Sequence, residues 1–208
     1  MGFCYTGNMG VIVGIDEVGR GPIAGPVAVG AFCIFDKSFM TKVRRFTLPL
    51  RDSKQLSKQQ REKWFEQIES WQNEGACAFS VCMIDAREID RKGISHSIKK
   101  ALHSTLQDLE IEATDMIFLD GSLHAPSSFE NQKTVIKGDE TISVISLASI
   151  VAKVTRDRHM AKIAKRYPKY GFEQHVGYGT EAHYLAIKKH GVTPIHRMSF
   201  LNKLGIKN

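Results

Sequence analysis

The chain has 208 residues, 42% of them hydrophobic and 25% charged, the composition of a globular protein long enough to bury a core as one domain. Its 29 Lys and Arg against 22 Asp and Glu leave a formal net charge of +7, which suits a polyanionic partner, nucleic acid ahead of an anionic membrane surface. No apolar run nears the roughly 18 residues of a membrane span, no secretory leader is expected, and Cys4, Cys33, Cys77 and Cys82 form no CxxC pair or common zinc spacing. Membrane-spanning, disulfide-stapled and zinc-bound classes are thereby set aside, and the thiols read as reduced in a cytoplasmic protein.

Met1, Gly2 and Thr6 formally fit a myristoylation pattern, a short one often met by chance. Residues 1–10 read as an N-terminal extension and 11–208 as a single domain. The β-branched run Val11 to Ile15 predicts a buried strand ending in Asp16-Glu17, followed by a stretch rich in Gly and Pro. Val27 to Phe35 predicts a second strand, and residues 36–54 an irregular basic segment. Ser57 with Gln60 forms a capping box, and the helix behind it buries Trp64, Ile68 and Trp71 at i, i+4, i+7. Ala76 to Met83 predicts a strand. Ile94, Ile98, Ala101, Leu102, Thr105 and Leu109 mark one face of a longer helix. Met116 to Leu119 predicts a short strand closed by Asp120-Gly121, and Thr134 to Lys137 another, turned by Gly138-Asp139. A long helix covers about Ser146 to Tyr167 and stops before Pro168. The turn Gly177-Tyr178-Gly179-Thr180 leads into a helix from Glu181 to Lys189 with Thr180 as N-cap. The sum is an α/β fold with a helical C-terminal part.

Carboxylates stand where chemistry collects. Asp16 and Glu17 close one buried strand and Asp120 another, and open α/β sheets bind ligands outside the carboxyl ends of their strands. Each such Asp also fits a simple turn role. Asp157 falls, on a helical wheel, in the middle of the stripe Ile150, Val154, Ala161, Ala164, with Lys153 and Arg156 beside it. A carboxylate facing a core needs a partner. Two readings of Asp157 stand at this point: a metal ligand, or half of an ion pair with Lys153 or an arginine elsewhere. Four acids without a His or Cys cluster suit Mg2+ or Mn2+. Two such ions can activate a water and stabilise the leaving oxygen of a phosphodiester.

These residues lie within motifs that resemble those of the type 2 ribonuclease H family, bacterial ribonuclease HII above all. Gly14-Ile15-Asp16-Glu17-Val18-Gly19-Arg20-Gly21-Pro22 with Ala24-Gly25-Pro26 resembles its opening motif. Asp52-Ser53-Lys54 with Leu56-Ser57, Leu119-Asp120-Gly121, Ala148 through Asp157, Gly177-Tyr178-Gly179-Thr180 and His196-Arg197-Met198-Ser199-Phe200 follow in the family's order. The resemblance runs from about residue 11 to 200.

It implies a ribonuclease H-like fold, with a mixed central sheet flanked by helices. It also implies that Asp16, Glu17, Asp120 and Asp157 hold two divalent ions, Mn2+ or Mg2+. Gly19, Arg20 and Gly21 correspond to the loop that grips the 2′-hydroxyl side of the ribonucleotide, and Tyr178 to the tyrosine that senses the RNA–DNA junction. Lys54 and Lys153 take phosphate-contacting or site-supporting places. Taken alone, Tyr178 also fits a turn aromatic and Lys54 a solvated surface charge.

The implied activity is endonucleolytic cleavage of RNA/DNA hybrids and of DNA containing ribonucleotides, in replication and repair, by a monomer without membrane contact. Ribonuclease HIII is the nearest alternative, but it carries an extra N-terminal domain and usually a Glu as fourth acid. A silent nucleic-acid-binding module leaves the acids unexplained, and a metal phosphatase for small substrates leaves the basic balance and the 2′-hydroxyl loop unexplained.

Overall fold

Alternating strand and helix periods fold into a five-stranded sheet with helices on both faces. The computed structural model describes residues 10–36 and 38–202; the myristoylation pattern and Cys4 lie outside them. In chain order the elements are β1 (Ile12–Val18), β2 (Val27–Ile34), α1 (Phe39–Arg45), α2 (Lys58–Asn73), β3 (Cys77–Ile84), α3 (Ala86–Lys92), α4 (Ile94–Asp108), β4 (Met116–Asp120) and β5 (Gln132–Val135). Then follow α5 (Gly138–Thr141), α6 (Ser143–Arg166), a 3-10 turn (Pro168–Tyr170), α7 (Phe172–His175), α8 (Glu181–His190) and α9 (Met198–Asn202).

The strand order is β3-β2-β1-β4-β5. β1 pairs antiparallel with β2 and parallel with β4, so the sheet is mixed as expected. Alternation of side chains gives β2 two buried faces. Val27, Val29, Ala31 and Cys33 join the core with Ile98, Leu102 and Leu106 of α4. Phe32 and Ile34 join Trp64, Ile68 and Trp71 of α2 and Leu147, Ile150 and Val154 of α6. A third core gathers the C-terminal part: Ile23, Ala24, Met160, Phe172, Ile187 and Leu201.

α6 lies unusually close to the sheet because two glycines give it room. A Cβ on Gly14 would sit 2.2 Å from the Val144 carbonyl, and one on Gly30 2.7 Å from that of Ala148. Both contacts are far inside van der Waals range, so only glycine fits.

The Ser57 capping box is present with both reciprocal bonds, and Thr180 caps α8 through His183 N–H. Several expectations need correction. The segment 36–54 contains α1, and α3 precedes α4. β1 extends to Val18, because β2 pairs with it that far, although β4 stops pairing at Ile15. Thus Asp16 and Glu17 are inside a strand, yet beyond the parallel edge. The buried stripe of α6 also shifts: Arg156, Met160 and Ala164 face inward, Ala161 is exposed, and Asp157 stands at the rim. Among the described residues, no helix is long and apolar enough to cross a membrane.

Candidate active site

The register Ile15↔Leu119 sets Asp16 beside Asp120 on neighbouring parallel strands. Ile15 and Leu119 point into the α4 core. Alternation therefore turns Asp16 and Asp120 together toward the α6 face. Asp16 is buried; its Oδ1 accepts the Glu17 N–H at 2.7 Å. Asp120 Oδ1 accepts the Gly138 N–H at 2.7 Å. The Glu17 carboxylate lies 3.4 Å from the Arg20 guanidinium.

Burial and the carboxylates of Asp120, Glu17 and Asp139 push Asp16 up to about 8, against a hydrogen bond from Ser149 that lowers it. Burial likewise raises Glu17, opposed by Arg20. This is a crowd of acids short of positive charge.

Asp139 is the acid that sequence reading passed over. It is buried, bonds Lys54 Nζ at 3.2 Å, and shares a hydrogen bond with Asp52, whose carboxyl is raised by burial and by Asp139. Its only sequence signal was Gly138-Asp139, which fits any turn. Lys54 is otherwise exposed along its side chain.

Asp157, on α6, is flanked by two cations. Lys153 Nζ lies 2.8 Å and an Arg61 nitrogen 3.9 Å from its oxygens. Both partners expected for an ion pair, the lysine at i−4 and an arginine elsewhere, are present.

Two loops also meet near these acids. Gly19 has φ +87°, and a Cβ there would strike the buried Arg156 side chain at 2.2 Å. Arg20 and Gly21 are exposed. The Tyr178 ring, 45% exposed, lies 3.9 Å from where a Gly21 Cβ would be. Tyr178 is carried by a block of buried histidines. Thr193 N–H donates to His196 Nδ1 at 2.8 Å, His196 and His183 face each other Nε2 to Nε2 at 3.1 Å, and His183 Nδ1 meets the Tyr178 carbonyl at 2.8 Å. This order assigns neutral tautomers: His196 Nε2–H donates to His183, and His183 Nδ1–H donates to Tyr178.

The donor set fits hard divalent cations. It is all oxygen, and a cation offsets the burial and the neighbouring carboxylates that raise Asp16. Among the described residues, no three acid, histidine or cysteine side chains stand close enough together to hold a metal ion.

A mixed five-stranded sheet flanked by helices, with acids side by side on adjoining parallel strands, is the ribonuclease H-like fold. Residues 13–203 match the family model described as Ribonuclease HII. A Ribonuclease HII of Halalkalibacterium halodurans is 43% identical over 91% of this chain and 66% of its own length. One of Caldicellulosiruptor bescii is 40% identical over 93% of this chain and 87% of its own. The solved ribonuclease H2 of Pyrococcus horikoshii is similar at a TM-score of 0.68, with 27% identity over 91% of this chain and 93% of that one. A Bst-RNase HIII solved in complex with Mn2+ gives a TM-score of 0.67 at 19% identity, over 93% of this chain and 68% of that one. The chain belongs to the ribonuclease HII family of ribonuclease H endonucleases.

Proposed function

We propose that this protein hydrolyses the RNA strand of RNA/DNA hybrids and cuts on the 5′ side of ribonucleotides embedded in duplex DNA, leaving 3′-hydroxyl and 5′-phosphate ends. The observation that carries this reading is the meeting of the exposed Arg20-Gly21 backbone with the Tyr178 ring, next to the Asp16–Glu17–Asp120 carboxylates. Asp16, Glu17, Asp120 and Asp157 would hold two Mg2+ or Mn2+ ions; the Mn2+ complex of the similar ribonuclease HIII supports that choice. Such ions, when bound, activate the attacking water and neutralise the departing 3′ oxygen.

The chain's own residues do the recognition. The Gly19-Arg20-Gly21 backbone reads the 2′-hydroxyl at close range, which a side chain on Gly21 would block. Tyr178 packs on the deoxyribose 3′ of the ribonucleotide, where a second hydroxyl fits less well. Lys153 orients the Asp157 carboxylate through its 2.8 Å hydrogen bond. Lys54, with most of its side chain in solvent, reaches a phosphate, and the +7 balance draws the duplex in. Base sequence matters little, since sugar and backbone contacts carry no direct base readout. The protein acts as a cytoplasmic monomer.

Tyr178 provides the test. Tyr178→Ala slows cleavage of a duplex with one embedded ribonucleotide more than cleavage of a long RNA/DNA hybrid, and Tyr178→Phe is milder because the ring is kept. Equal slowing of both substrates by Tyr178→Ala contradicts the junction-sensing role.

A further inference from the structure

Arg197 is fully buried, 0% exposed, near the start of α9. Its guanidinium reaches back almost the whole chain. Nε donates to the Gly25 carbonyl at 2.9 Å, one terminal nitrogen to that of Arg20 at 3.0 Å, and the other to that of Gly19 at 2.7 Å. Its own N–H donates to the Ile23 carbonyl at 2.8 Å. No carboxylate forms a salt bridge with it among the described residues. A buried cation is costly unless its donors are filled, and here backbone oxygens of one loop fill them. Asp90 of α3 fixes the base of the arginine, accepting the Met198 and Ser199 N–H groups at 2.8 and 2.9 Å.

The consequence lies in the peptide planes. In a trans peptide the carbonyl and the following N–H point opposite ways. With the Gly19 and Arg20 oxygens drawn inward onto Arg197, the N–H groups of Arg20 and Gly21 turn outward. Both residues are exposed, and the hydrogen bonds within the described residues use neither N–H. Two adjacent donors therefore face solvent on the rim of the carboxylate cluster.

We infer that Arg197 is a positioning residue for ribose selection: its fork captures the loop carbonyls and so aims the Arg20 and Gly21 amides at the ribose oxygens of the substrate. The inference rests on the reading of this loop as the ribose-binding element. A planar fork spans three carbonyls at once; a lysine ammonium keeps the charge but concentrates its donors on one atom.

The test measures binding in an Asp120→Asn background, using two DNA duplexes that differ by a single ribonucleotide. The quantity read is the ratio of their Kd values. Arg197→Lys lowers the preference for the ribonucleotide about tenfold, as loss of a positioned contact does, while affinity for the all-DNA duplex stays the same. A general loss of structure would weaken both together. Gly21→Ala is the companion variant: its Cβ meets nothing nearer than Tyr178 at 3.9 Å, so the protein folds while the approach to the ribose is blocked. If Gly21→Ala abolishes the preference and Arg197→Lys keeps it, the inference about Arg197 is overturned and the loop reading stands. If the Asp120→Asn protein shows no preference at all, the loop reading falls and the inference with it. Should Arg197→Lys lack a cooperative melt, amide hydrogen exchange of the wild-type chain decides. The Arg20 and Gly21 amides exchange freely until the ribonucleotide-containing duplex is added, and protection in the free protein overturns the inference.

Discussion

Asp16 carries a proton that an ordinary aspartate would have lost. Its carboxyl is raised from 3.8 to about 8 by burial and by Asp120, Glu17 and Asp139. Between those values the folded metal-free protein holds a proton that the unfolded chain has released, so this group's effect on stability worsens as pH rises from about 4 to about 8. Melting curves in chelator over that range should show wild type losing stability relative to Asp16→Asn as pH increases, and added Mn2+ should restore only wild type. Parallel curves for the two proteins contradict the account.

At the rim, Asp157→Asn leaves Lys153 and Arg61 facing each other without a counter-charge. Their side chains are 19% and 14% exposed, so the loss should be about 1–3 kcal/mol, below the roughly 3–5 for a fully buried pair. A thermal melt of the metal-free protein checks it; an unchanged or higher melting temperature means the pair contributes nothing. The placing of Asp16 beside Asp120 was legible in sequence because an apolar run leads into each of them, and the parallel pairing of β1 with β4 stops just before both. Asp139 was not, since an acid after Gly138 reads as a turn. Arg156 and Arg197 were hidden because a buried guanidinium served by carbonyls 20 to 178 positions away leaves no local pattern.

The elements that carry the site are held by close approach and by neutral polar relays. Gly14→Ala should cost about 3 kcal/mol or more, because its Cβ would lie 2.2 Å from the Val144 backbone, which cannot give way without moving α6. A denaturant titration checks this, and an unchanged midpoint would show that α6 shifts freely.

The histidine relay under Tyr178 has the opposite pH sign to Asp16. Burial lowers His183 and His196 from 6.5 to about 4. The folded block favours their neutral forms, so its stability is complete above 6.5 and is lost as pH falls toward 4. Hydrogen exchange of residues 175–196 should show protection falling between pH 6.5 and 4 ahead of the sheet; uniform loss across the molecule argues against a local relay. The capping box, the α2 and α4 faces and the α8 cap were readable because each depends on residues within one or two turns. The short helices α1 and α3 and the inward face of α6 were not. Packing against Trp71 decides α1, and burial of Arg156 beneath Gly19 the inward face of α6, from far along the chain, whereas α3 carries a local signal, the Asp85 cap on the Glu88 N–H, that sequence reading passed over.

At the scale of the molecule, the C-terminal segment closes back on the loop between β1 and β2. The Ala24↔His196 bridge, the bond from Gly25 N–H to the Ile195 carbonyl and the Arg197 fork join residues 19–25 to residues 195–197 at one place. The mixed character of the sheet was legible from the family resemblance alone; the order of periods gave an α/β fold. Strand order was not, since nothing in β4 alone says that it pairs with β1. With a net charge of +7, cleavage should fall steeply with salt as phosphate contacts release counterions; a flat salt profile would remove the basic surface from the account.

The central claim is a metal-dependent cut directed by one ribose. Its most direct measurement is a gel assay of a DNA duplex carrying a single ribonucleotide, beside the same duplex in all-DNA form, in Mn2+ and in excess chelator. The account predicts one cut, 5′ of the ribonucleotide, in Mn2+ only, and none in the all-DNA duplex. Cleavage in chelator, or equal cleavage of both duplexes, would contradict it.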